Sequence, residues 1–191
     1  MKILGISGSL RKTSLNTGLL RAAREILDGA VAMDIRDCGD LPLYNEDLDG
    51  PVKPPPVQRF FEAVRGCDAI LLASPEYNHG IPGGLKNAID WASRPAYASI
   101  LAHKPAGILS ASKSIVGGAR MQAQLIQVLA STLTPVFPHP QFLVPLGDGK
   151  FDADGRLADP ETRAILTRFL SGFTAWAADW CLRHAEPPKA L

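Results

Sequence analysis

The segment Ala69-Ile-Leu-Leu-Ala73 is short, continuously apolar, and closed abruptly by Pro75. That pattern suits a strand buried on both faces of a parallel sheet, and it restricts the fold more than any other stretch of the chain. Pro82, Gly83 and Gly84 break the chain next, after which Leu85, Ala88, Ile89, Trp91 and Ala92 recur at helical spacing. Between strand and helix lies a polar and aromatic loop, Glu76-Tyr77-Asn78-His79. Open α/β sheets bind ligands outside the carboxyl ends of their strands, so this loop is a place for a flat cofactor to rest.

The same alternation runs through the rest of the sequence. Lys2 to Ser7 reads as a first strand, Gly8 to Asn16 as a polar loop, and Thr17 to Leu27 as a helix with Leu19, Leu20, Ala23, Ile26 and Leu27 on one face. Val31 to Ile35 suits a short second strand. Arg36 to Pro56, rich in Pro, Asp and Gly, reads as a long loop before a helix over Val57 to Arg65. Ala106 to Leu109 predicts a fourth strand, Gly117 to Leu133 a helix, and Phe142 to Pro145 a fifth strand behind a run of prolines. Pro160 to Arg183 closes the chain as a helix, with Asp159 as N-cap and Pro160 at its first position. No repeat or linker interrupts the order, which predicts one domain over residues 1–191 with helices on both faces of a parallel sheet. Five strands favour the flavodoxin-like three-layer α/β sandwich, in order 2-1-3-4-5, over the longer six-stranded dinucleotide fold.

Composition narrows the function classes. Twenty basic residues against nineteen acidic ones give a formal charge of +1, which offers no electrostatic footprint for nucleic acid or an anionic membrane. No apolar segment approaches the ~20 residues needed to cross a bilayer. The three cysteines, Cys38, Cys67 and Cys181, are odd in number and never spaced as CxxC, which argues against a disulfide framework or a zinc site. With a first strand starting at Lys2 there is no room for a leader. A soluble, cytoplasmic protein with reduced thiols is expected.

The loop Gly8–Asn16 has the chemistry of an anion site. Gly8, Ser9, Thr13 and Ser14 let backbone N–H groups converge where the following helix adds partial positive charge. Arg11 offers a planar fork for phosphate oxygens, and Asn16 suits either a helix cap or a ligand contact. The loop lacks GxxxxGK[ST] and GxGxxG, which disfavours nucleoside triphosphate hydrolysis and a tightly held dinucleotide. A monophosphate fits best; the plainer reading is a solvated loop whose Ser and Asn cap a helix. Gly5-Ile-Ser-Gly-Ser places its second glycine one position too early for a nucleophile elbow.

Three blocks together resemble the NADPH-dependent FMN reductase family, in its quinone and chromate reductase branch. They are GSLRKTSLN at Gly8–Asn16, PEYNHGIPGGLKNAIDWASRP at Pro75–Pro95, and SKSIVGGARMQAQ at Ser112–Gln124. The resemblance implies that Ser9, Arg11, Ser14, Leu15 and Asn16 hold the phosphate of a bound FMN, with Thr17 nearby. It implies that Pro75, Glu76, Tyr77, Asn78 and His79 line the flavin ring and ribityl chain, and that Ser112 and Gly117 border the other side. The family loop usually carries an aromatic and then a serine where this chain has His79 and Gly80, a departure that bears on ring stacking and one hydroxyl hydrogen bond.

Single residues divide between chemistry and packing. Tyr77 is placed to stack on a planar ligand or, in the plainer reading, to pack over the loop. Glu76 suits loop-shaping and ligand contact equally, and Asn78 offers a donor and an acceptor to a flavin edge or to a turn. His79 belongs at the surface beside the cofactor, because the four histidines show no HxxxH spacing and no metal is expected. Trp91, with Ile89 and Leu85, reads as core or subunit interface, Trp176 and Trp180 as packing, and Asn87 or Asp90 as a tie to a loop or a neighbour.

A flavin supplies the redox chemistry itself, so no side chain is obliged to act as acid, base or nucleophile. The resemblance implies NAD(P)H as a transient donor and a small-molecule acceptor such as a quinone, chromate, an azo dye or a ferric chelate, in two-step exchange. It also implies a homodimer or homotetramer, with contacts on the apolar face near Trp91 and on the Arg120–Leu133 helix. The competing readings are a flavodoxin-like electron carrier docking to proteins, which the near-neutral charge disfavours, and a non-catalytic FMN sensor.

Overall fold

The structure is a computed structural model that describes residues 1–184. Among these, five parallel strands, β1 (Lys2–Ser7), β2 (Ala32–Asp37), β3 (Ala69–Ala73), β4 (Ala106–Ala111) and β5 (Phe142–Val144), lie in the order β2-β1-β3-β4-β5. This is the expected flavodoxin-like order. Helices α2 (Pro55–Arg65), α3 (Gly83–Ala92) and α4 (Ala119–Ser131) cover one face, and α1 (Leu15–Leu27) and α5 (Pro160–Arg183) cover the other. Every residue of β3 is buried, as its unbroken apolar run requires: Ile70 and Leu72 join the core under α2, α3 and α4, while Leu71 joins the one under α1 and α5. No helix among the described residues is long and apolar enough to cross a membrane.

The departures from the sequence reading have local causes. α1 starts at Leu15 rather than Thr17, because Ser14, not Asn16, is the cap, its Oγ accepting the Thr17 N–H at 3.2 Å. β2 begins one residue later than expected and runs to Asp37, held by pairing with β1 that persists to Ser7 beside Asp37. α2 starts at Pro55, where a missing N–H costs nothing in a first turn. Gly83 and Gly84 do not break the chain but form the first turn of α3. α4 is shorter at both ends than expected, since Gly117 and Gly118 have left-handed φ of 65° and 93° and Leu133 turns the chain out at 58°. β5 stops at Val144, before Pro145, and the bounds and Asp159 cap of α5 are as read.

Of the two readings open to Trp91, core and subunit interface, the core one is realised. Trp91 has no exposed surface, so its face of α3 is core within the chain and not a subunit contact. Its indole N–H donates to the Pro42 carbonyl at 2.8 Å, and its ring meets Tyr44 edge-on at 5.0 Å. Asn87, one turn earlier, accepts the Tyr44 N–H at 2.7 Å and donates to Pro42 O at 2.9 Å. The long 36–56 segment is therefore pinned to α3 at its middle.

Candidate functional site at the carboxyl rim of β1, β3 and β4

β1 delivers the first loop to the rim. Gly8 donates to Ala73 O at 2.9 Å, and a Cβ there would lie 2.4 Å from Ser74 Oγ, so only glycine lets the two strand ends approach this closely. Ser7 Oγ shares a hydrogen bond with Thr17 Oγ1 at 2.8 Å and accepts the Ser9 N–H at 3.2 Å, which folds the loop back over the start of α1. The N–H groups of Leu15 and Asn16, the first two positions of α1, have no partner among the described residues. They open on the positive end of the helix with Ser9, Ser14 and the exposed Arg11 around them.

The Asn16 side chain does not cap α1; it is spliced into the sheet. Its carboxamide donates to Ala111 O at 2.9 Å and accepts Ala111 N–H at 2.8 Å, both buried. β3 pairs with β4 only as far as Ala73 beside Leu109, and Ser112 N–H already serves Val144 on the β5 side. The Asn16 amide thus stands in for the peptide group that β3 no longer supplies, and extends β4 to Ala111.

The second loop leaves β3 at Ser74. The Glu76 carboxylate accepts the Arg120 backbone N–H at 3.1 Å, the Met121 N–H at 3.3 Å and Arg120 Nε at 2.5 Å, so it caps α4 as well as pairing with a cation. Of the two roles open to Glu76, the loop-shaping one is realised. Tyr77 and Gly80 exchange backbone hydrogen bonds at 3.1 and 2.9 Å around a turn in which Asn78 and His79 have φ of 49° and 67°. Tyr77, Asn78 and His79 are exposed at the tip.

Burial of the Glu76 carboxyl works against its charge, yet the Arg120 side-chain hydrogen bond, the Met121 amide and the Arg120 charge outweigh it and hold the pKa below its ordinary 4.5. A carboxylate whose folded pKa is depressed contributes stability that is complete above the ordinary value and is lost as pH falls through the folded one. The melting-temperature difference between wild type and Glu76→Gln should therefore be constant above about pH 5 and shrink below about pH 4; a difference independent of pH would contradict this.

The two loops face each other across a cleft of about 180 Å³. Ser9, Arg11, Ser14, Leu15 and Asn16 line one side and Pro75, Glu76 and Tyr77 the other, with Ala111, Ser112 and Lys113 closing the β4 end. Thr17, Asn78, His79 and Gly117 do not line it. Thr17 supports it from the first turn of α1, Asn78 and His79 stand at the turn above it, and Gly117 is buried against β5. Ala111 and Lys113 were missed, although both flank the predicted Ser112. Cys38 is buried near this rim, and burial first, then Asp37 and Asp40, pushes its thiol up to about 12, leaving no thiolate. A wider hollow of about 470 Å³ at the opposite rim, around Lys104 and Trp180, offers no open helix start and does not compete as an anion seat.

A flavodoxin-like sandwich whose first helix opens two amides toward an aromatic loop has the build of a mononucleotide-binding flavoprotein. The family model of NADPH-dependent FMN reductases matches residues 1–149. The chain is 41% identical over 176 residues to an NAD(P)H-dependent FMN reductase of Pseudomonas aeruginosa, covering 92% of this chain and 95% of that one. It is 42% identical over 183 residues to an NAD(P)H:quinone oxidoreductase of Solanum tuberosum, covering 93% of each. Among solved structures it is similar to FerB, a flavoenzyme NAD(P)H:(acceptor) oxidoreductase from Paracoccus denitrificans, with TM-score 0.84 and 34% identity over 93% of this chain and 97% of that one. The chain belongs to the NADPH-dependent FMN reductase family, as an oxidoreductase with FMN as cofactor and NAD(P)H as electron donor.

Proposed function

We propose that this chain is an FMN-dependent NAD(P)H:quinone oxidoreductase that passes hydride equivalents through one bound flavin in two successive visits. The observation that carries the assignment of its site is the pair of unpartnered N–H groups, Leu15 and Asn16, at the positive end of α1, beside the Arg11 fork and across the cleft from Tyr77. These groups suit a phosphate monoester. Ser9, Arg11, Ser14, Leu15 and Asn16 hold the phosphate, Asn16 through its backbone because its side chain is committed to Ala111. Thr17 steadies that loop through Ser7.

Pro75, Glu76, Tyr77, Asn78 and His79 present the ring-facing loop, with Ser112 on the opposite border and Gly117 acting at one remove by setting the start of α4. When bound, FMN supplies hydride acceptance from the nicotinamide and return of two electrons to the acceptor. The protein's part is to fix the phosphate, hold the exposed Tyr77–His79 tip and leave one face open to exchange. No residue here is required to move a proton at a fixed atom. Quinones are the acceptor class; chromate, azo dyes and ferric chelates are further substrates to assay.

The whole chain acts as one domain, whose last seven residues lie outside the described ones. It works in the cytoplasm as a homodimer or homotetramer, without nucleic acid or membrane partners. The outer side of α4, with Ile126 41% exposed, together with Leu133 just beyond its end, 39% exposed, is the face left for self-association once Trp91 is counted as core.

Visible spectra of the purified protein, taken before and after anaerobic NADPH or NADH and then a quinone, test the assignment. Flavin absorption that bleaches with the donor and returns with the quinone is expected. Protein that neither carries nor takes up FMN would overturn it.

A further inference from the structure

α4 touches the ring-facing loop at two points one helical turn apart. Arg120 and Met121 hold Glu76 at the loop's entrance, and Gln124, four residues beyond Arg120 on the same helix face, holds its exit. There Gln124 Oε1 accepts the Ile81 N–H at 2.7 Å. The same oxygen lies 2.8 Å from where a Cβ on Gly80 would stand. Gly80 has no left-handed φ, so its backbone would accept another residue; what excludes a side chain is the Gln124 oxygen. The turn between these anchors holds Asn78 and His79 in left-handed conformations, which Asn and His adopt more readily than most non-glycine residues, and its two backbone hydrogen bonds close it without fixing how it sits over the cleft.

We propose that Gln124 is a positioning residue for the reaction: with Glu76 secured at the other end, it clamps the Tyr77–Gly80 turn over the flavin ring, and Gly80 is the small residue that admits it. The proposal rests on the flavin reading of the site. Gly80 and Gln124 form one coupled unit, because a side chain at Gly80 displaces the flexible end of Gln124 and so removes the Ile81 hydrogen bond. Loss of either partner releases the same end of the turn. A turn that drifts by about 1 Å presents Tyr77 and His79 wrongly to the ring and slows hydride arrival without touching the phosphate seat.

The test is a double-mutant cycle with two readouts. Amide hydrogen exchange at Gly80 and Ile81 is measured on the FMN-free protein, and the rate of flavin reduction by NADPH and the flavin midpoint potential on the loaded enzyme. Gln124→Ala should speed Ile81 exchange about 3- to 10-fold, the range one net hydrogen bond corresponds to, slow flavin reduction by up to about 100-fold and shift the potential. Gly80→Ser should act in the same direction, and the double variant should be within about twofold of the worse single one. Gln124→Glu keeps an acceptor and should restore Ile81 protection.

Unchanged Ile81 exchange in Gln124→Ala, or effects that multiply in the double variant, would overturn the clamp. The exchange readout needs no cofactor, so wild-type protein that never takes up FMN defeats the functional reading, and the positioning role with it, while the Gln124 anchor of the turn is still read by Ile81 exchange. Faster Ile81 exchange with flavin reduction and midpoint potential unchanged in the loaded enzyme would overturn the positioning role alone.

Discussion

Replacing Asn16 with alanine should lower stability by about 2–5 kcal/mol, because each of two buried peptide groups left without a partner costs roughly 1–3 kcal/mol. For a chain of this length each kcal/mol moves the melting temperature by roughly 2–4 °C, so a fall of about 4–20 °C is expected by calorimetry. The groups stranded are the N–H and C=O of Ala111, which find no strand beyond the end of β3. Affinity for FMN should fall as well, since the tie that fixes the first turn of α1 against β4 also aims the Leu15 and Asn16 amides into the cleft. Thr17→Ala removes a single hydroxyl bond to Ser7 and should cost no more than about 1 kcal/mol. An Asn16→Ala protein that melts within about 2 °C of wild type would show that the amide is not spliced into the sheet as described.

Trp91→Ala should be costlier still. Deleting a fully buried indole removes roughly 3–5 kcal/mol of packing, to which the lost hydrogen bond to Pro42 adds about 1 kcal/mol. Equilibrium unfolding in urea should show the midpoint falling accordingly. Trp91→Phe keeps most of the buried area while losing the N–H donor, and should cost only about 1–2 kcal/mol. The alanine variant should also be cut by protease within the Cys38–Lys53 stretch under native conditions, because Tyr44 then loses the ring it meets edge-on. A protein that unfolds at the wild-type urea midpoint would contradict the placement of Trp91 in the core.

How far the sequence could be read depended on whether a feature was local. β3 was legible because an apolar run closed by proline has few alternatives, and α5 because cap, proline and periodicity coincide at Asp159 and Pro160. The start of α1 was not, since Ser14 and Asn16 are both capping types and only the fold shows which one is engaged. Asn16 reaches a partner 95 residues away and Gln124 one 43 residues away, and no window of sequence contains both ends of such a contact. The two loops stand at the carboxyl ends of β1 and β3, where their place between strand and helix puts them, whereas the commitment of Asn16 to Ala111 and of Glu76 to α4 required coordinates. The choice between core and interface at Trp91 stayed open for the same reason: a helical stripe records that a face is apolar, not whether its own chain covers it.

α3 begins where the ring-facing loop ends, and through Asn87 and Trp91 it also grips Pro42 and Tyr44 from the long segment after β2. Two stretches that look independent along the chain therefore share a single mechanical support. A ligand settling at the β3 side of the rim meets a loop whose exit was already fixed when the polypeptide folded, and that part of the wall costs it no further ordering entropy.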